Sequence, residues 1–390
     1  MKILFCNYEY PPLGGGGGVV MAALARELAR RHTVTVLTSR ALGLAAESHE
    51  GGVRIVRAPV FFRRELAVAN FPSMLAYLPT AAWRGLLLQR SGAFDVINTH
   101  FVVPTGPVGH LLGRLWRVPN VLSLHGGDLY DPSKGSSPHR HAWLRAPIRQ
   151  LLKRADMLVG QSRNTLQHVE SIYGVRRSAE LIPLGIERPP AASAARASFG
   201  IPADAFVIIT IGRLVARKAT LKLLQAMQAA QRADTHLLIV GDGPDAEPIR
   251  DAAAQAGLSD RVHMAGQLSE QGKFQALASA DIFASCSQHE GFGLVFLEAM
   301  AFGLPIVCFN HGGQTDFLQS GETGFVVQLN DLDAFTRALV ELHDSRPLRE
   351  RMRQTNLQRV EGYLIDTCAA RYEELFERAL RNRAVARGEI

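Results

Sequence analysis

Two carboxylates, Glu290 and Glu298, lie on either side of a Gly-Phe-Gly turn that runs into an apolar helical pattern. Gly291 and Gly293 let the backbone bend closely and leave its amide groups open. The helix that follows points its positive end at the turn, which favours a bound phosphate. Glu298, a little over one helical turn further on, can accept two ribose hydroxyls, and Glu290 lies on the other side of the phosphates. This spacing predicts a site for ribose, diphosphate and sugar in that order.

A second candidate phosphate loop is the run of five glycines at Gly14–Gly18, between the first apolar strand and a helical pattern over 19–30. Such a loop can approach a phosphate with bare amides. A dinucleotide-binding role is excluded, because no glycine in the run opens a Gly-x-Gly-x-x-Gly match. The segment Thr38-Ser39-Arg40, after the second strand, also lacks an acid that could bind a ribose. A flexible turn without a ligand is the alternative.

Residues 288–300 resemble the Glu-x7-Glu motif of the retaining family 4 glycosyltransferases, which have the GT-B fold. The resemblance covers nearly the whole chain and is most specific from Arg213 to Val327. It implies transfer of a hexose from a UDP- or GDP-linked donor to an acceptor hydroxyl, with retention at the anomeric carbon and without a metal or other cofactor. The implied acceptor is a saccharide or lipid-linked saccharide of surface polysaccharide or glycolipid biosynthesis.

The same resemblance implies roles for individual side chains. Arg213 and Lys218 match the pair that clamps the donor diphosphate, where two cations stabilise the charge on the leaving nucleotide. Glu290 would orient the sugar, and His125, in Ser-Leu-His-Gly-Gly-Asp, would contact it during transfer. Asp128 is expected on the acceptor side. The implied donor-binding residues are Gly16, Gly17, Gly212, Gly241, Gly291, Phe292, Gly293, Leu294, Val295 and Glu298.

Several positions either depart from the family pattern or imitate a metal site. Ala219 follows Lys218 where the family usually has glycine, so the loop is expected to be stiffer. Asp331 and Asp333 imitate a metal-binding Asp-x-Asp motif, but they precede a helical run at 334–342 and predict a helix cap. His139 and His141 have no third ligand nearby, so no zinc site is expected.

Two other functions fit parts of the pattern. A sugar-nucleotide 2-epimerase shares the overall fold and would release free nucleotide and sugar without any acceptor. A catalytically silent nucleotide-sugar-binding subunit is disfavoured by the intact set of Glu290, Glu298, Arg213 and Lys218. Nucleic-acid binding is the least favoured function, because the basic residues are dispersed and no binding motif is present.

The elements that must position these residues follow an alternation of short apolar runs and helical patterns, which is typical of parallel sheets with crossover helices. The chain of 390 residues is long for one core and predicts two doubly wound, Rossmann-like α/β domains. We expect domains at 1–187 and 203–364, a Pro/Ala/Ser-rich linker at 188–202, and a helix over 365–390 that returns to the first domain. The ligand is expected at the strand ends, in the cleft that such domains enclose. The predicted strands are Lys2–Cys6, Thr33–Thr38, Val53–Arg57, Asp95–Asn98, Asn120–Leu124, Met157–Gly160, Glu180–Ile182, Phe206–Ile211, His236–Val240, Arg261–Met264, Ile282–Ser285, Ile306–Phe309 and Gly324–Val327.

The net charge of +7 favours anionic partners, which include a diphosphate, nucleic acid or an acidic membrane surface. The four cysteines have no metal-ligand spacing, and reduced, buried thiols in a cytoplasmic protein are the interpretation. No apolar run predicts a signal peptide or a membrane span.

Peripheral contact with the inner face of the membrane is a further hypothesis. Arg145, Arg149 and Lys153 recur every four residues beside Leu144, Ile148 and Leu152, as on an amphipathic helix. The segment Phe61-Phe-Arg-Arg64 and the region 74–90 add aromatic and basic residues, and together these could seat the first domain on anionic lipid. A plain amphipathic surface helix explains the first set equally well.

Overall fold

The chain is divided into two compact units in a computed structural model that describes residues 1–41, 43–63, 69–89, 92–132, 135 and 137–388. The first unit contains Met1–Glu187 together with Leu364–Ile390, and the second contains Arg188–Tyr363. None of the helices built from the described residues is both long enough and apolar enough to cross a bilayer.

The first unit is built on an eight-stranded sheet of order β3-β4-β2-β1-β5-β6-β7-β8. All neighbouring strands are parallel except β3, which runs antiparallel to β4. The strands are β1 Lys2–Asn7, β2 Thr33–Arg40, β3 Glu47–Glu50, β4 Val53–Pro59, β5 Val96–His100, β6 Asn120–Leu124, β7 Met157–Gly160 and β8 Glu180–Leu181. The crossover helices are α1 Gly16–Ala29, α2 Phe71–Leu88, α3 Gly106–Trp116, α4 Ala142–Arg154 and α5 Arg163–Ser171.

The second unit has a six-stranded sheet that is parallel throughout, in the order β11-β10-β9-β12-β13-β14. Its strands are β9 Phe206–Ile211, β10 Thr235–Val240, β11 Val262–Gly266, β12 Ile282–Ser285, β13 Ile306–Phe309 and β14 Gly324–Val327. Its helices are α6 Thr220–Ala230, α7 Ala246–Gln255, α8 Glu270–Ala278, α9 Leu294–Ala301, α10 Leu332–Asp344 and α11 Arg346–Val360. A short 3-10 helix at Arg196–Phe199 lies in the segment predicted as linker.

The helix α12, Ile365–Arg387, belongs to the first unit, so its expected return to the first domain is confirmed. Its Tyr372 is buried and donates a hydrogen bond to Ser123 Oγ at 3.1 Å, at the end of β6. Arg31, just beyond α1, forms a two-pronged ion pair with Glu373 at 2.8 and 2.9 Å. The first unit is therefore made from two distant stretches of the chain.

Apolar side chains on both faces of the central strands explain why these runs form buried parallel strands. In the first unit Leu4 and Cys6 pack with Tyr77 of α2 and Leu112 of α3. In the second unit β9, β10, β12 and β13 contribute to one core that also receives α6 and α10. The four cysteines are free and buried, in agreement with the sequence interpretation.

Candidate functional site

The second unit has a switch point between β9 and β12, where the chain leaves adjacent strands in opposite directions. The loops that follow two such strands part from each other and leave a crevice at the carboxyl edge of the sheet. Residues 212–219 follow β9 and residues 286–293 follow β12. The topology therefore brings together the two segments that the sequence singled out.

Lys218 and Glu290 join these loops, since the Lys218 ammonium donates a hydrogen bond to Glu290 Oε1. Arg217 lies 3.6 Å from Glu290 Oε2 and donates to the carbonyl of His289. A backbone bond from Gln288 N–H to Arg217 O at 2.8 Å completes the connection. Glu290 is only 6% exposed. Arg217 was not among the predicted site residues, so its place beside Glu290 was missed.

Glu290 remains ionised although it is buried. Burial alone would raise its pKa, but the charges of Lys218 and Arg217 and the hydrogen bonds from Lys218 and Ser287 bring that pKa below its usual value. A buried carboxylate with two adjacent cations is an electrostatically preorganised group. It can accept hydrogen bonds from hydroxyl groups without first losing a proton.

The turn before α9 leaves that helix with an open N-terminus. Gly293 is the N-cap residue, with φ of +93°, and no described side chain caps the helix. A Cβ atom on Gly293 would lie 2.5 Å from the ring of Phe296, so the position requires glycine both for its backbone and for space. Phe292 is buried against Phe317 at a centroid distance of 5.2 Å and anchors the turn. The amides at Leu294 and Val295 begin the helix, as the sequence predicted.

Glu298, one turn inside α9, forms an ion pair with Lys273 of α8 at 2.7 Å. Both side chains are about one-fifth exposed, so the pair is reachable from solvent. Lys273 was not predicted to be near the site. It lies 25 residues before Glu298 in a polar helix, and no local pattern connects the two positions.

The glycine turns after β9 and β10 pack directly on each other. A Cβ atom on Gly241 would lie 1.9 Å from the carbonyl oxygen of Gly212, and both glycines have positive φ. Leu214 N–H donates to Asp242 O at 2.9 Å across the same contact. Arg213 belongs to the turn after β9 and has an exposed side chain, with no ion-pair partner within the described part of the chain.

In the first unit, the glycine run is partly helical, so the prediction of a helix that starts near Val19 was wrong. The helix α1 begins at Gly16, and Gly15 is its N-cap residue. A Cβ atom on Gly17 would lie 2.9 Å from the Phe101 ring, and one on Gly18 would lie 2.9 Å from the carbonyl oxygen of Glu9. The absence of side chains lets the first turn of α1 approach the segments after β1 and β5.

His125 follows β6 and stacks on Phe101 at a centroid distance of 4.2 Å. Its Nε2 lies 3.1 Å from Nδ1 of His100, while its buried Nδ1 has no partner among the described residues. Burial lowers the pKa of His125 to about 4, and the Gln161 side chain, which donates to the His125 backbone carbonyl at 2.7 Å, raises that pKa by less. The imidazole is therefore neutral near pH 7.

Asp128 holds the His125 loop in place. Its Oδ1 accepts from the His125 amide at 2.9 Å and its Oδ2 accepts from the Val102 amide at 2.7 Å. Burial raises the pKa of Asp128 to about 6, against these backbone bonds, which lower it. The two hydrogen bonds from backbone amides give this carboxylate a structural role. Its contact with an acceptor stays a prediction.

Asp331, His139 and His141, which belong to patterns that imitate metal sites, have other partners. Asp331 caps α10 by accepting from Ala334 N–H at 2.9 Å, which confirms the predicted helix cap. His139 contacts Ser137 Oγ at 2.8 Å and His141 contacts the carbonyl of Gly135 at 2.9 Å. Within the ranges that the structure describes, no three metal-binding side chains come together.

Two family models together match most of the chain. Residues 14–188 match Glycosyltransferase Family 4, and residues 192–359 match Glycosyl transferases group 1. A GDP-mannose-dependent alpha-(1-6)-phosphatidylinositol monomannoside mannosyltransferase of Mycolicibacterium smegmatis is 29% identical, over 87% of this chain and 88% of its own.

Solved structures show the same fold. Sucrose-phosphate synthase of Thermosynechococcus elongatus superposes with a TM-score of 0.84 at 22% identity, covering 98% of this chain and 100% of its own. Anabaena HepE in complex with UDP and glucose superposes with a TM-score of 0.77 at 19% identity, covering 97% of this chain and 99% of its own. The expected α/β fold of GT-B type, with two doubly wound units, is confirmed.

Proposed function

We propose that this chain, which belongs to glycosyltransferase family 4, is a retaining, metal-independent hexosyltransferase. Membership of the family makes it a glycosyltransferase that acts on nucleotide sugars. The stereochemistry, the metal independence and the roles of single residues are the proposal. The observation that carries it is the ion-pair group of Lys218, Arg217 and buried Glu290, in which Glu290 belongs to the loop that continues into the open N-terminus of α9.

The proposed donor diphosphate is bound by Arg213, Lys218 and the amides at the start of α9. Arg213 is free to bind an anion, and Lys218 already lies beside the loop that leads to the helix. Positive groups placed where a diphosphate leaves stabilise its growing charge, typically by about 10²–10³-fold in rate for each good donor. This arrangement supports nucleotide departure without a metal ion.

The proposed reaction takes place on one face of the sugar. The bond between the anomeric carbon and the diphosphate oxygen breaks, and the acceptor oxygen forms its bond from the same side. The acceptor proton moves to an oxygen of the leaving diphosphate, so no enzyme side chain has to act as a base. Glu290, ionised and fixed by two cations, would hold sugar hydroxyls in place.

Glu298 is proposed to bind the donor ribose, with Lys273 as the residue that orients it. For His125 we propose a neutral hydrogen-bonding role toward the transferred sugar, since its pKa of about 4 keeps the ring uncharged. A neutral imidazole adds no charge that would disfavour positive charge at the anomeric carbon.

The donor base is proposed to be guanine or uracil. The Mycolicibacterium smegmatis relative is named as GDP-mannose-dependent, and Anabaena HepE has been solved with UDP. The proposed acceptor is a saccharide or lipid-linked saccharide, in keeping with the phosphatidylinositol mannoside in the name of that relative.

Titration calorimetry with UDP, GDP and ADP, with EDTA present, tests the donor site. One diphosphate should bind the parent and bind Lys218→Ala at least 10-fold more weakly, while Asp333→Ala should bind it like the parent. If none of the three binds to folded protein, the donor site is wrong. Product analysis with the matching donor then distinguishes transfer, which needs an acceptor, from epimerisation, which releases nucleotide and sugar without one.

We also propose that the first unit rests on an anionic membrane surface. The outward side of α2 carries Phe71, Leu75, Pro79 and Trp83 at four-residue spacing, and all four are exposed. Trp143 of α4 is exposed and meets Phe71 edge to face at 5.7 Å. A plain amphipathic surface helix presents polar residues to water, whereas this side of α2 presents apolar ones.

The charge next to this apolar surface favours anionic lipid. The helix α4 contains Arg145, Arg149, Lys153 and Arg154 but no acidic residue, and all four are exposed. Aromatic side chains beside such cations are typical of proteins that lie on acidic membranes. Arg64 and Arg90, which belonged to the same hypothesis, lie outside the described residues.

Vesicle flotation tests this surface. The protein should float with phosphatidylcholine vesicles that contain phosphatidylglycerol and should stay behind with phosphatidylcholine alone. Trp143→Ser should reduce the floating fraction several-fold. Leu115→Ser, a matched loss of an exposed apolar residue on α3, should not. Equal flotation of Trp143→Ser and the parent would remove this part of the proposal.

A further inference from the structure

We propose that the first unit carries a second anion site, an arginine pocket beside α2 that binds the phosphate ester of an amphiphile. The pocket has a volume of about 500 Å³, and its walls include Arg40, Arg57, Pro59, Thr80, Trp83 and Arg84. None of these residues belongs to the second unit or to the His125 loop. The pocket is therefore separate from the groups assigned to the donor.

The pocket forms where β2 and β4 end beneath α2. Arg40 and Pro59 are paired across the two strands at their last residues. Thr80 Oγ1 donates to the Pro59 carbonyl at 2.7 Å and fixes α2 against this edge. Trp83 and Arg84 follow one turn later on the same helix, so they stand above the strand ends. The fold thus places three arginines from three different elements, Arg40, Arg57 and Arg84, around one cavity.

Arg57 has a structural role in the wall of the pocket. It is 4% exposed, donates to Ser48 Oγ at 2.9 Å and to Ala45 O at 3.4 Å, and lies 3.6 Å from Glu50. Its guanidinium therefore connects β4 to the β3 segment. The guanidinium adds positive potential to the cavity, but it is held by these contacts and is not the group that binds the ligand.

Arg40 and Arg84 have donors left for a ligand. Arg40 uses Nε to donate to Leu44 O at 2.8 Å, which orients its fork, and its terminal nitrogens bond to no described residue. Arg84 lies 3.6 Å from Glu47, a carboxylate that is also 3.1 Å from Arg54. Guanidinium forks match the oxygens of a phosphate in pairs. A phosphate ester is the ligand that this geometry fits.

Trp83 makes the expected ligand an amphiphile. Its ring is 64% exposed at the pocket wall, and the exposed apolar side of α2 continues from it toward Leu75 and Phe71. A ligand with its phosphate on Arg40 and Arg84 could lay an apolar chain along this side. Tryptophan commonly occupies such boundaries, because it has an apolar body and a polar N–H group.

Two probes separate a lipid headgroup from a soluble phosphate ester. Glycerol 3-phosphate is titrated by calorimetry into the parent, Arg40→Gln, Arg84→Gln, Trp83→Ser and Lys218→Ala. The same proteins are floated with phosphatidylcholine vesicles that contain phosphatidylglycerol. Arg114→Gln removes one exposed arginine from α3 and is the control for charge loss.

We expect Arg40→Gln and Arg84→Gln to bind glycerol 3-phosphate at least fivefold more weakly, with less than a twofold change in Arg114→Gln. Lys218→Ala should bind glycerol 3-phosphate like the parent, and loss of binding in that variant would assign the signal to the donor site and overturn the proposal.

Trp83→Ser should keep glycerol 3-phosphate binding and lose vesicle binding. If vesicle binding is unchanged in Trp83→Ser, the site takes a soluble ester and the amphiphile is wrong. If Arg40→Gln behaves like Arg114→Gln with both probes, there is no anion site.

Discussion

Nε2 of His125 lies 3.1 Å from Nδ1 of His100, so two buried imidazole rings share one hydrogen bond. One ring must donate and the other accept, which is possible for two neutral rings. Burial lowers the pKa of both histidines, and the neighbouring His125 lowers that of His100 further. A charge on either ring would be poorly solvated, because both rings are buried.

This pair predicts a loss of stability in mild acid. The His125 pKa is about 4 in the folded protein and about 6.5 when unfolded, so the unfolded chain takes up protons first as the pH falls. The contribution of His125 to the free energy of unfolding should be nearly constant above about pH 6.5 and fall by on the order of 3 kcal/mol by pH 4. Urea unfolding in His125→Gln should show a weaker decline over this range. An unchanged slope would contradict the buried neutral histidine.

Asp128 should act in the opposite direction. Its pKa is about 6 in the folded state, above the ordinary value, so the folded protein binds this proton first. Between about pH 6 and pH 4 this group adds stability, and Asp128→Asn should therefore show a steeper acid decline than the parent. Urea unfolding of the parent and of Asp128→Asn at the same series of pH values provides the measurement. A shallower decline in Asp128→Asn would show that its carboxylate is ionised throughout.

Lys218→Ala should lower turnover by two or more orders of magnitude, because it removes a cation from the leaving group and from Glu290. It should also destabilise the second unit, since a buried carboxylate loses one of its two cations. Lys218→Ala/Glu290→Gln separates the effects, because it should recover stability without recovering turnover. Recovery of turnover in the double variant would show that Lys218 acts only through Glu290.

Lys273→Met should raise the donor KM about 10-fold and change kcat little, because it frees Glu298 from the partner that orients it. A 2′-deoxyribose donor tests the same contact. The parent should discriminate against it, and Glu298→Gln should discriminate less. Equal discrimination by both would place the ribose elsewhere.

Gly293→Ala should destabilise the second unit by about 1–3 kcal/mol, because φ of +93° and the Phe296 ring at 2.5 Å both exclude a side chain. It should also weaken nucleotide binding by distorting the start of α9. Gly362→Ala is the control, because a Cβ atom there meets nothing within 4 Å. Similar melting temperatures for the two variants would contradict the strained turn.

The sequence predicted elements wherever one feature dominated the local pattern. Buried parallel strands such as Asn120–Leu124 and Phe206–Ile211 are short runs rich in apolar residues, and the structure has them at those bounds. The edge strand β3, Glu47–Glu50, was missed because it is polar and pairs only with β4. An exposed edge needs no apolar alternation, so nothing in its composition marks it.

The site was less predictable than the fold, because its contacts join distant segments. The loop that carries Glu290 and Gly293 was visible in one continuous motif. Lys273 and His100, in contrast, reach their partners only through the order of strands and helices. Their residue types are common, and spacing along the chain does not encode which loops the sheet places side by side.

The two-segment construction of the first unit has a consequence for synthesis on the ribosome. Residues 188–363 complete the second unit before α12 is made, whereas the first unit must wait for Tyr372, Leu375 and Phe376, which are buried in it. The first unit, most of which is translated first, therefore completes its fold after the second unit. In a nascent chain that stops at Tyr363, the apolar surface of residues 1–187 that α12 later covers is still exposed. Chaperone binding should be greatest at that stage.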